Sequence, residues 1–306
     1  MARNEQQTGT MQGGGAPEAG RGPGKGRKMV ARPATLRART EIGKNMVRLS
    51  FDAPAMVGTD PVSEAPTDRY VKLLFIPEGA GYEWPFDLRE IKEAVPGELQ
   101  PVRRTYTLRN VDPAAGTFDI DFYQHGDTGL ASRWAATARI GETIAYLGPG
   151  GAWRPAPGYS HFVLAGDESA APAIAEAMTQ LPAGASAQVF IEIADAGSRI
   201  RLSTPSCDLE QLPEGVQLEW VERGDAVPGA KLVEKLRGSS FPDVPTSWFV
   251  HGVAEMVKDV RRLLFVERSV AKQDASISGY WRLGATEDVW QATKRELLAE
   301  WEAQEK

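Results

Sequence analysis

Short runs of alternating apolar and polar side chains occupy residues 30–152, and Gly, Pro and Asp separate these runs. Alternation with a period of two places successive side chains on opposite faces of a β-strand. The six runs predict a six-stranded antiparallel Greek-key barrel, because many short strands are typical of small closed barrels. The connections 58–68 and 77–102, rich in Pro, Gly and acids, are predicted to be surface loops. The predicted strands are 35–40, 46–51, 70–76, 104–110, 117–124 and 142–147.

The pattern changes after the turn-rich residues 148–158, where short apolar runs begin to alternate with segments of helical period. Alternating strands and helices predict a parallel sheet flanked by helices, that is, a Rossmann-like domain. A final helix is predicted to begin near Thr286, whose hydroxyl can cap it, and the acids that follow favour the positive end of the helix dipole. The predicted strands are 161–165, 189–194, 216–221 and 248–251, and the other predicted helices are 170–180, 231–237 and 254–268.

The chain therefore divides into two predicted domains behind a leader. Residues 1–28 contain eight Gly and two Pro but no aromatic or branched aliphatic residue, so they cannot bury enough surface to offset the entropy of ordering. We predict a disordered, basic, Gly-rich leader over 1–29, the barrel domain over 30–155 and the α/β domain over 156–306.

Charge and composition narrow the classes of function. The first 39 residues carry eight Lys and Arg against two acids, which leaves 27 basic and 39 acidic residues for the rest of the chain. With this excess of acids, the rest of the chain is expected to bind nucleic acid poorly. No apolar run reaches the roughly 18 residues that a membrane span needs. With Cys207 as the one cysteine, and with His125, His161 and His251 far apart in sequence, no redox pair or helical zinc site is predicted. Redox chemistry would need an organic cofactor, and a reducing cytoplasm fits this composition.

One predicted strand carries an unusual set of polar groups. In the run 104–109, Arg104 and Tyr106 fall on one side of the strand, and Thr105 and Thr107 fall on the other. The strand thereby offers a guanidinium, an aromatic face and hydroxyls to one elongated ligand. Exposed strands often alternate in this way, so an ordinary exposed strand is the alternative interpretation.

A second candidate lies at residues 129–134, where a Gly precedes a predicted helix. The free backbone amides and the dipole of a helix start accept phosphate oxygens. Together with the polar strand, this helix start is able to hold a flavin dinucleotide.

The combination resembles the siderophore-interacting proteins, a branch of the ferredoxin-reductase-like flavoproteins. That family carries an Arg-x-Tyr-Thr-x-Arg strand, an Asp-containing strand, a His-Gly-Asp turn and a Gly-Pro-Ala-Ser-x-Trp helix start. Leu130 stands where the family usually has proline, and the resemblance covers about residues 30 to 300. The matching residues are Arg104, Tyr106, Thr107, Arg109, Asp121, His125, Gly126, Asp127, Gly129, Ala131, Ser132 and Trp134, followed by the run Gly148-Pro149-Gly150-Gly151.

The resemblance implies a ferric-siderophore reductase that passes electrons from NAD(P)H through FAD to Fe(III) and releases Fe(II). It places Tyr106 against the isoalloxazine ring and Thr107 near flavin N5, and it assigns Arg104 and the amides of Ala131 and Ser132 to the pyrophosphate. No protein residue acts as a nucleophile, and no metal site is expected. The further FAD contacts it implies are Thr105, Asp121, His125 and Trp134, with a polar turn residue as the alternative for His125.

A second cofactor loop follows the first strand of the α/β domain, at the position where open α/β sheets bind ligands. It consists of Gly166, Asp167, Glu168, Ser169 and Ala170. Two carboxylates beside a pyrophosphate would repel it, so the residues alone argue against a nucleotide there. The family nevertheless has a Gly-Asp-Glu-Thr/Ser-Ala loop here, which implies that the acids orient either the loop or the nicotinamide ribose.

The family resemblance continues through residues 278–287, a Gly-Tyr-Trp-Arg-x-Gly-x-x-Glu ending that includes Glu287. It implies that Tyr280 and Trp281 lie at the NAD(P)H site. Alternatively, Trp281 packs at the sheet edge under the final helix while Arg282 faces the cleft. At 248–253 the family more often reads Trp-x-Ala-Gly-Glu, and its acid is missing here.

The choice of nicotinamide donor is left open by opposing charges. Arg199 and Arg201 suit the ribose phosphate of NADPH, whereas Glu192 and Asp195 suit the free ribose of NADH. The family habit favours NADPH, with NADH as a competitor.

Ferric siderophores are often anionic, so an acidic protein needs a local basic patch to attract them. The family-like positions Lys72, Arg133 and Arg282 are the predicted siderophore contacts. We expect a cytoplasmic monomer that binds neither nucleic acid nor membranes. The competing functions are a general NAD(P)H-dependent flavin or oxygenase-type reductase, and a flavin-containing siderophore binder without turnover.

Overall fold

The computed structural model describes residues 30–60, 62–124, 129–203 and 209–303, so the predicted leader lies outside the described residues. Within them, seven antiparallel strands form one sheet and five parallel strands form another. The first sheet contains β1 (Arg32–Gly43), β2 (Met46–Asp52), β3 (Tyr70–Phe75), β4 (Val102–Thr107), β5 (Arg109–Asp112), β6 (Thr117–Tyr123) and β7 (Thr143–Gly150). The second contains β8 (His161–Gly166), β9 (Ser186–Ile193), β10 (Val216–Glu222), β11 (Thr246–Val253) and β12 (Ala275–Trp281).

Six α-helices accompany these strands within the described residues. The segment predicted as one helix over 254–268 ends its α-helical part at Arg261 and continues as a π-helical segment, Arg262–Glu267. No helix of the described ranges combines the length and the apolar character that a bilayer span requires. The helices are α1 (Leu88–Ala94), α2 (Leu130–Thr137), α3 (Ala171–Thr179), α4 (Ala230–Gly238), α5 (Ala254–Arg261) and α6 (Glu287–Ala303).

The antiparallel sheet has the order β4-β3-β7-β1-β2-β6-β5 and is barrel-like. Leu108 alone separates β4 from β5, so one stretch of chain pairs with β3 at its start and with β6 at its end. It thereby joins the two edges of the sheet. The prediction of six strands was wrong by one for this reason: the strand predicted at 104–110 changes partner at Leu108, and Asn110 then takes a left-handed φ of 49°.

The barrel core is apolar, but a second face of β2 and β6 is also buried. Val47, Leu49 and Phe51 point into the barrel, as expected from alternation. Arg48, on the opposite face, is also buried, and its guanidinium donates to the carbonyl of Ser203 at 3.0 Å. This face of the barrel therefore packs against the α/β domain.

The parallel sheet has the order β10-β9-β8-β11-β12, which confirms the Rossmann-like prediction. The direction of winding reverses between β8 and β11, and ligands bind beyond the carboxyl ends of the strands at such a point. A nucleotide site is therefore expected at the residues that follow β8 and β11.

The connection 77–102 is more ordered than the predicted surface loop. It contains α1, which the Asp87 side chain caps by accepting the Arg89 N–H at 2.7 Å. Trp84 and Phe86 pack against Leu74 and its neighbours on the outer face of β3 and β7. The insertion covers an apolar patch that the barrel would otherwise expose.

Candidate functional site

The polar strand predicted to bind flavin is β4, at the edge of the antiparallel sheet. Thr105 pairs with Lys72 of β3, while its backbone N–H points away from β3 and donates to both carboxylate oxygens of Glu287 at 3.1 Å. The Thr105 hydroxyl donates to the same carboxylate at 2.6 Å. Arg104 pairs with Asp288 at 3.0 Å and keeps 19% of its side chain exposed. The start of α6 thus contacts β4 directly.

Tyr106 and Thr107 face different surroundings. The Tyr106 ring lies 4.4 Å from that of Phe122, and burial, together with the Glu287 charge, raises the pKa of its phenol. Burial also raises the pKa of Tyr280, and a hydrogen bond with Thr107 opposes that shift. Tyr280 is on β12 of the α/β domain, so the two domains meet at the end of β4.

The predicted phosphate-binding helix start is α2. Gly129 is its N-cap residue, with a left-handed φ of 98° and no side chain to cap the helix, and the first turn contains no acid. Ala131 and Ser132 are buried, while Arg133 is exposed. The preceding His125, like Gly126 and Asp127, falls outside the described residues.

Trp134 has a structural role that the family resemblance did not indicate. Its ring stacks 6.4 Å from Phe51 and lies 5.9 Å from Phe122 in the barrel core. Its indole N–H donates to Glu142 at 2.6 Å. Trp134 thus anchors α2 to the barrel, and its predicted contact with the cofactor stays a prediction.

Asp121 is likewise committed to the protein. Its side chain is 1% exposed, and its two oxygens accept from Arg48 Nε at 2.6 Å and Arg48 Nη2 at 2.9 Å. Arg109 Nη1 lies 3.6 Å from the same carboxylate. The predicted cofactor contact at Asp121 is thus a buried ion pair, because both oxygens already have cationic partners.

Arg109 joins the two domains. Its guanidinium is fully buried and donates to Glu176 of α3 at 2.9 Å and to the Leu202 carbonyl at 2.8 Å. Burying a charge is tolerable when it is paired and hydrogen-bonded, as it is here. These contacts fix the position of α3 against the barrel.

The loop after β8 is tightly packed. A Cβ atom at Gly166 would lie 2.5 Å from Ala170 Cβ and 2.5 Å from the His251 carbonyl oxygen. The buried Asp167 accepts from the Ser169 backbone N–H at 2.9 Å, from the Ser169 hydroxyl and from the Trp281 indole N–H at 2.8 Å. Of the two roles that the resemblance left open for the acids, Asp167 performs the first: it holds the loop.

Glu168 and Glu192 are also used internally. Glu168 accepts from the Ala194 N–H at 2.9 Å, and burial raises its pKa. Glu192 accepts from the N–H groups of Gly229 at 2.7 Å and Leu232 at 3.2 Å, so it caps α4. The nucleotide-ribose role considered for Glu192 is therefore wrong, since its carboxylate is buried beneath a helix.

Tyr280 contacts a buried histidine that sequence reasoning did not assign. Its hydroxyl lies 3.0 Å from His251 Nδ1, and His251 Nε2 lies 2.9 Å from Ser276 Oγ. Burial, with the nearby Lys294 charge, lowers the pKa of His251 to about 3. The imidazole is therefore neutral at pH 7.

Three further predicted residues, Arg282, Arg199 and Asp195, are partly or fully exposed. Arg282 is half-buried, with its Nε 3.7 Å from Glu255. Arg199, which follows β9, is exposed. Its carbonyl oxygen lies close to Gly43 of β1, because a Cβ atom placed on that glycine would be 3.1 Å from it. Asp195 pairs with Lys44 at 3.4 Å. Hydrogen bonding to Ser198 and that lysine lowers the pKa of Asp195.

Sequence reasoning missed the contacts of Glu287 and Asp288 with β4. Both were interpreted as acids that complement the dipole of α6, and that role is local to the helix. Their contacts with Thr105 and Arg104 join positions that are 182 and 184 residues apart in the sequence. Both the Gly-x-x-Glu ending and the polar strand were visible in the sequence as family motifs. The motifs did not indicate that the two segments are in contact.

Two family models match the chain. Residues 35–153 match the siderophore-interacting FAD-binding domain, and residues 159–284 match the siderophore-interacting protein model.

Individual relatives agree with these matches. An uncharacterised protein of Mycobacterium tuberculosis is 39% identical over 245 residues, covering 76% of this chain and 83% of that protein. The ferric vibriobactin reductase ViuB of Vibrio cholerae is 26% identical and covers 85% and 92%. The crystal structure of a siderophore utilization protein from T. fusca superposes with a TM-score of 0.67 at 30% identity, covering 84% of this chain and 94% of that chain.

Proposed function

The chain belongs to the siderophore-interacting protein family, and on that premise we propose that it is a ferric-siderophore reductase. Electrons pass from NAD(P)H through FAD to Fe(III), and Fe(II) is released. The observation that carries this proposal is the meeting of the two domains at one strand: β4 presents Arg104, Tyr106 and Thr107 where Tyr280 arrives from the parallel sheet.

The described residues fit FAD at two places. Arg104 remains partly exposed beside β4, and an arginine is geometrically suited to a pyrophosphate. The start of α2, with Ala131 and Ser132, has no acid in its first turn, and the N-terminal end of a helix favours the negative charge of a phosphate. Tyr106 and Thr107 would orient the ring system. When bound, FAD supplies a group that accepts a hydride and returns electrons one at a time, which ferric iron requires.

The parallel sheet would hold the nicotinamide donor near Tyr280 and Trp281, beyond the carboxyl ends of β8 and β11. The closed loop from Gly166 to Ala170 would serve as a surface under the nicotinamide, since its acids are already partnered. Because the Glu192 carboxylate is buried under α4, it is not available to repel the ribose phosphate of NADPH. NADPH is the expected donor, with Arg199 near its ribose phosphate, and NADH competes.

Siderophore recognition would rest on Lys72, Arg133 and Arg282. Reduction lowers the charge of the iron, so hard oxygen ligands hold it less strongly and release follows. The name of ViuB, a ferric vibriobactin reductase, supports this substrate class for the chain that it resembles. The proposal places the protein in the cytoplasm as a monomer that binds neither nucleic acid nor membranes.

Anaerobic stopped-flow absorbance tests the reaction directly. The protein is loaded with FAD and mixed with NADPH or NADH, then with a ferric siderophore and a colorimetric Fe(II) chelator. We expect loss of the flavin colour, its return on siderophore addition, and trapped Fe(II). Reoxidation by soluble quinones at rates equal to those with iron would favour the general reductase, and persistent bleaching with siderophore bound would favour the non-turnover binder.

Arg104→Ala tests the flavin strand. Loss of a charge-assisted contact with a pyrophosphate is expected to weaken FAD binding about tenfold, measured as quenching of flavin fluorescence on titration. Arg103→Ala is the matched control, because Arg103 is the exposed neighbour on the opposite side of β4. Equal FAD affinity in the two variants would reject the assignment of this strand.

A further inference from the structure

The edge of β4 has a backbone donor that the sheet does not satisfy. β4 is hydrogen-bonded to β3 on one side, and the Thr105 N–H lies on the other side. Unpaired groups on an edge strand need an acceptor, and without one the strand frays or pairs with another chain. A carboxylate from the opposite domain provides the acceptor here.

The contact between Glu287 and Thr105 is built from three donor-acceptor pairs. The Thr105 N–H lies 3.1 Å from each carboxylate oxygen, and the hydroxyl lies 2.6 Å from one of them. Hydrogen bonds to a charged acceptor are roughly twice as strong as neutral ones. One side chain therefore restrains both the backbone and the side chain of Thr105, next to Tyr106.

Glu287 is itself held rigidly to the parallel sheet. Three residues later, Trp290 is buried, and its indole N–H donates to the Gly279 carbonyl at 3.3 Å. Lys294 donates to the same carbonyl at 2.9 Å and to Ser278 Oγ at 3.1 Å. A Cβ atom at Gly279 would lie 2.8 Å from the Trp290 ring, so helix and strand are in close contact. Glu287 is thereby fixed relative to β12, which carries Tyr280.

We propose that Glu287 is a positioning residue, which ties the flavin strand to the strand that carries Tyr280 and so sets the spacing between Tyr106 and the nicotinamide side of the cleft. The role rests on the proposed function, because it assumes that β4 binds FAD. Asp288 differs from its neighbour: it is 64% exposed, and its contact is with the guanidinium of Arg104 rather than with the backbone. An exposed ion pair of that kind is weak and is displaced by a stronger anion.

The test compares full-length Glu287→Ala, Glu287→Gln and Glu287→Asp with wild type. FAD affinity is measured by fluorescence titration, the geometry of bound flavin by visible circular dichroism, and folding by thermal unfolding. Loss of hydrogen bonds to a charged group predicts that Glu287→Ala weakens FAD binding about tenfold and changes the flavin dichroism. Glu287→Gln restores part of both, since its amide oxygen still accepts, and the shorter Glu287→Asp restores less.

Asp288→Asn is the matched control, because it removes a carboxylate from the same turn of α6. Its FAD affinity is expected to equal or exceed that of wild type, since the pyrophosphate and Asp288 compete for Arg104. Thr105→Val retains the backbone donor, so we expect it to weaken FAD binding less than Glu287→Ala does. Combined with Glu287→Ala, it should cause little further loss of FAD affinity. Should a Glu287 variant unfold, Thr105→Val still tests the contact on a folded chain.

The outcomes separate the two proposals. Wild-type protein that fails to bind FAD overturns the proposed function. Wild-type binding with unchanged affinity and dichroism in Glu287→Ala and Thr105→Val overturns the positioning role alone. An equal loss in Asp288→Asn also overturns it, because the effect would then be one of general charge at the helix start.

Discussion

The starts of α2 and α3 both follow a glycine-containing turn, and sequence patterns assign both to a cofactor, yet they differ in the acids that lie beside them. At α3, the Asp167 carbonyl accepts the N–H groups of Ala170 and Ala171 at 3.0 Å, and its carboxylate accepts that of Ser169. At α2, Gly129 provides no side-chain cap, and the first turn is free of acids.

The difference shows that the position of a helix after a strand does not by itself make a phosphate site. An anion needs amides that the protein has not already satisfied. The acids of the α3 loop are consistent with this, because they serve as internal acceptors and leave no role for a phosphate there. Perturbing the two helix starts in turn should therefore affect stability at α3 and ligand affinity at α2.

Asp167→Ala gives the largest expected effect, a loss of about 3 kcal/mol in the free energy of unfolding, because it leaves three partly buried donors unpaired. Urea denaturation followed by tryptophan fluorescence measures it. Trp281→Phe is the control that removes one of those donors, and its cost should be smaller. A loss below about 1 kcal/mol for Asp167→Ala would contradict the structural role of this acid.

Acidification should destabilise the interior behind the α3 loop. The pKa of His251 falls from 6.5 to about 3 on folding, so the unfolded chain binds the extra proton as the pH drops below 6.5. This contribution to stability is complete above pH 6.5 and is lost progressively between that pH and about 3. At pH 5.5 the loss is about 1.4 kcal/mol relative to pH 8.

Denaturation curves of wild type and His251→Gln at the two pH values check this effect. Burial also lowers the pKa of His161, so His161→Gln is the comparison variant. The His251 variant should have the shallower pH dependence relative to wild type. An unchanged slope would show that His251 has the same pKa in the folded and unfolded chains.

Arg133→Glu introduces an acid into the acid-free start of α2. We expect FAD affinity to fall about threefold, from a dipole and charge effect of roughly 0.3–1 kcal/mol, and the loss to shrink at high salt. Fluorescence titration at two ionic strengths measures it. Arg139→Glu, exposed just beyond the end of α2, is the control, and an equal effect of both substitutions would exclude a role for the helix start.

Arg282→Ala gives the smallest expected change in stability, below about 0.5 kcal/mol, because its pair with Glu255 is partly exposed and long. The KM for ferric siderophore should nevertheless rise several-fold. Steady-state kinetics and urea denaturation together test whether Arg282 acts on the substrate rather than on the fold. A large loss of stability would assign Arg282 to the fold.

Most of the strands and helices were predictable, although β12 was absent from the predicted strands, because alternation and helical period are properties of neighbouring residues. The split of the predicted strand at Leu108 was not predictable. It arises because the chain pairs first with β3 and then with β6, and this change of partner closes the barrel. The extra helix α1 was hidden by the Pro- and Gly-rich composition around it.

The site was predictable as a set of residues but not as a set of contacts. Asp121 and Trp134 match family motifs, yet their partners Arg48 and Glu142 come from other strands and turns. The acid at 287 was visible as a helix-start residue, whereas its contact with Thr105 required the tertiary structure. Pairing across long sequence distances is the information that a local pattern lacks.

The buried guanidinium of Arg109 has a consequence for motion. Opening the joint between barrel and α3 would expose this cation and leave Glu176 without its partner, so hinge-like swinging of one half against the other is disfavoured. In the reaction proposed above, reactants would then enter and leave while the two halves stay fixed, and the distance that electrons cross would be the same in each turnover.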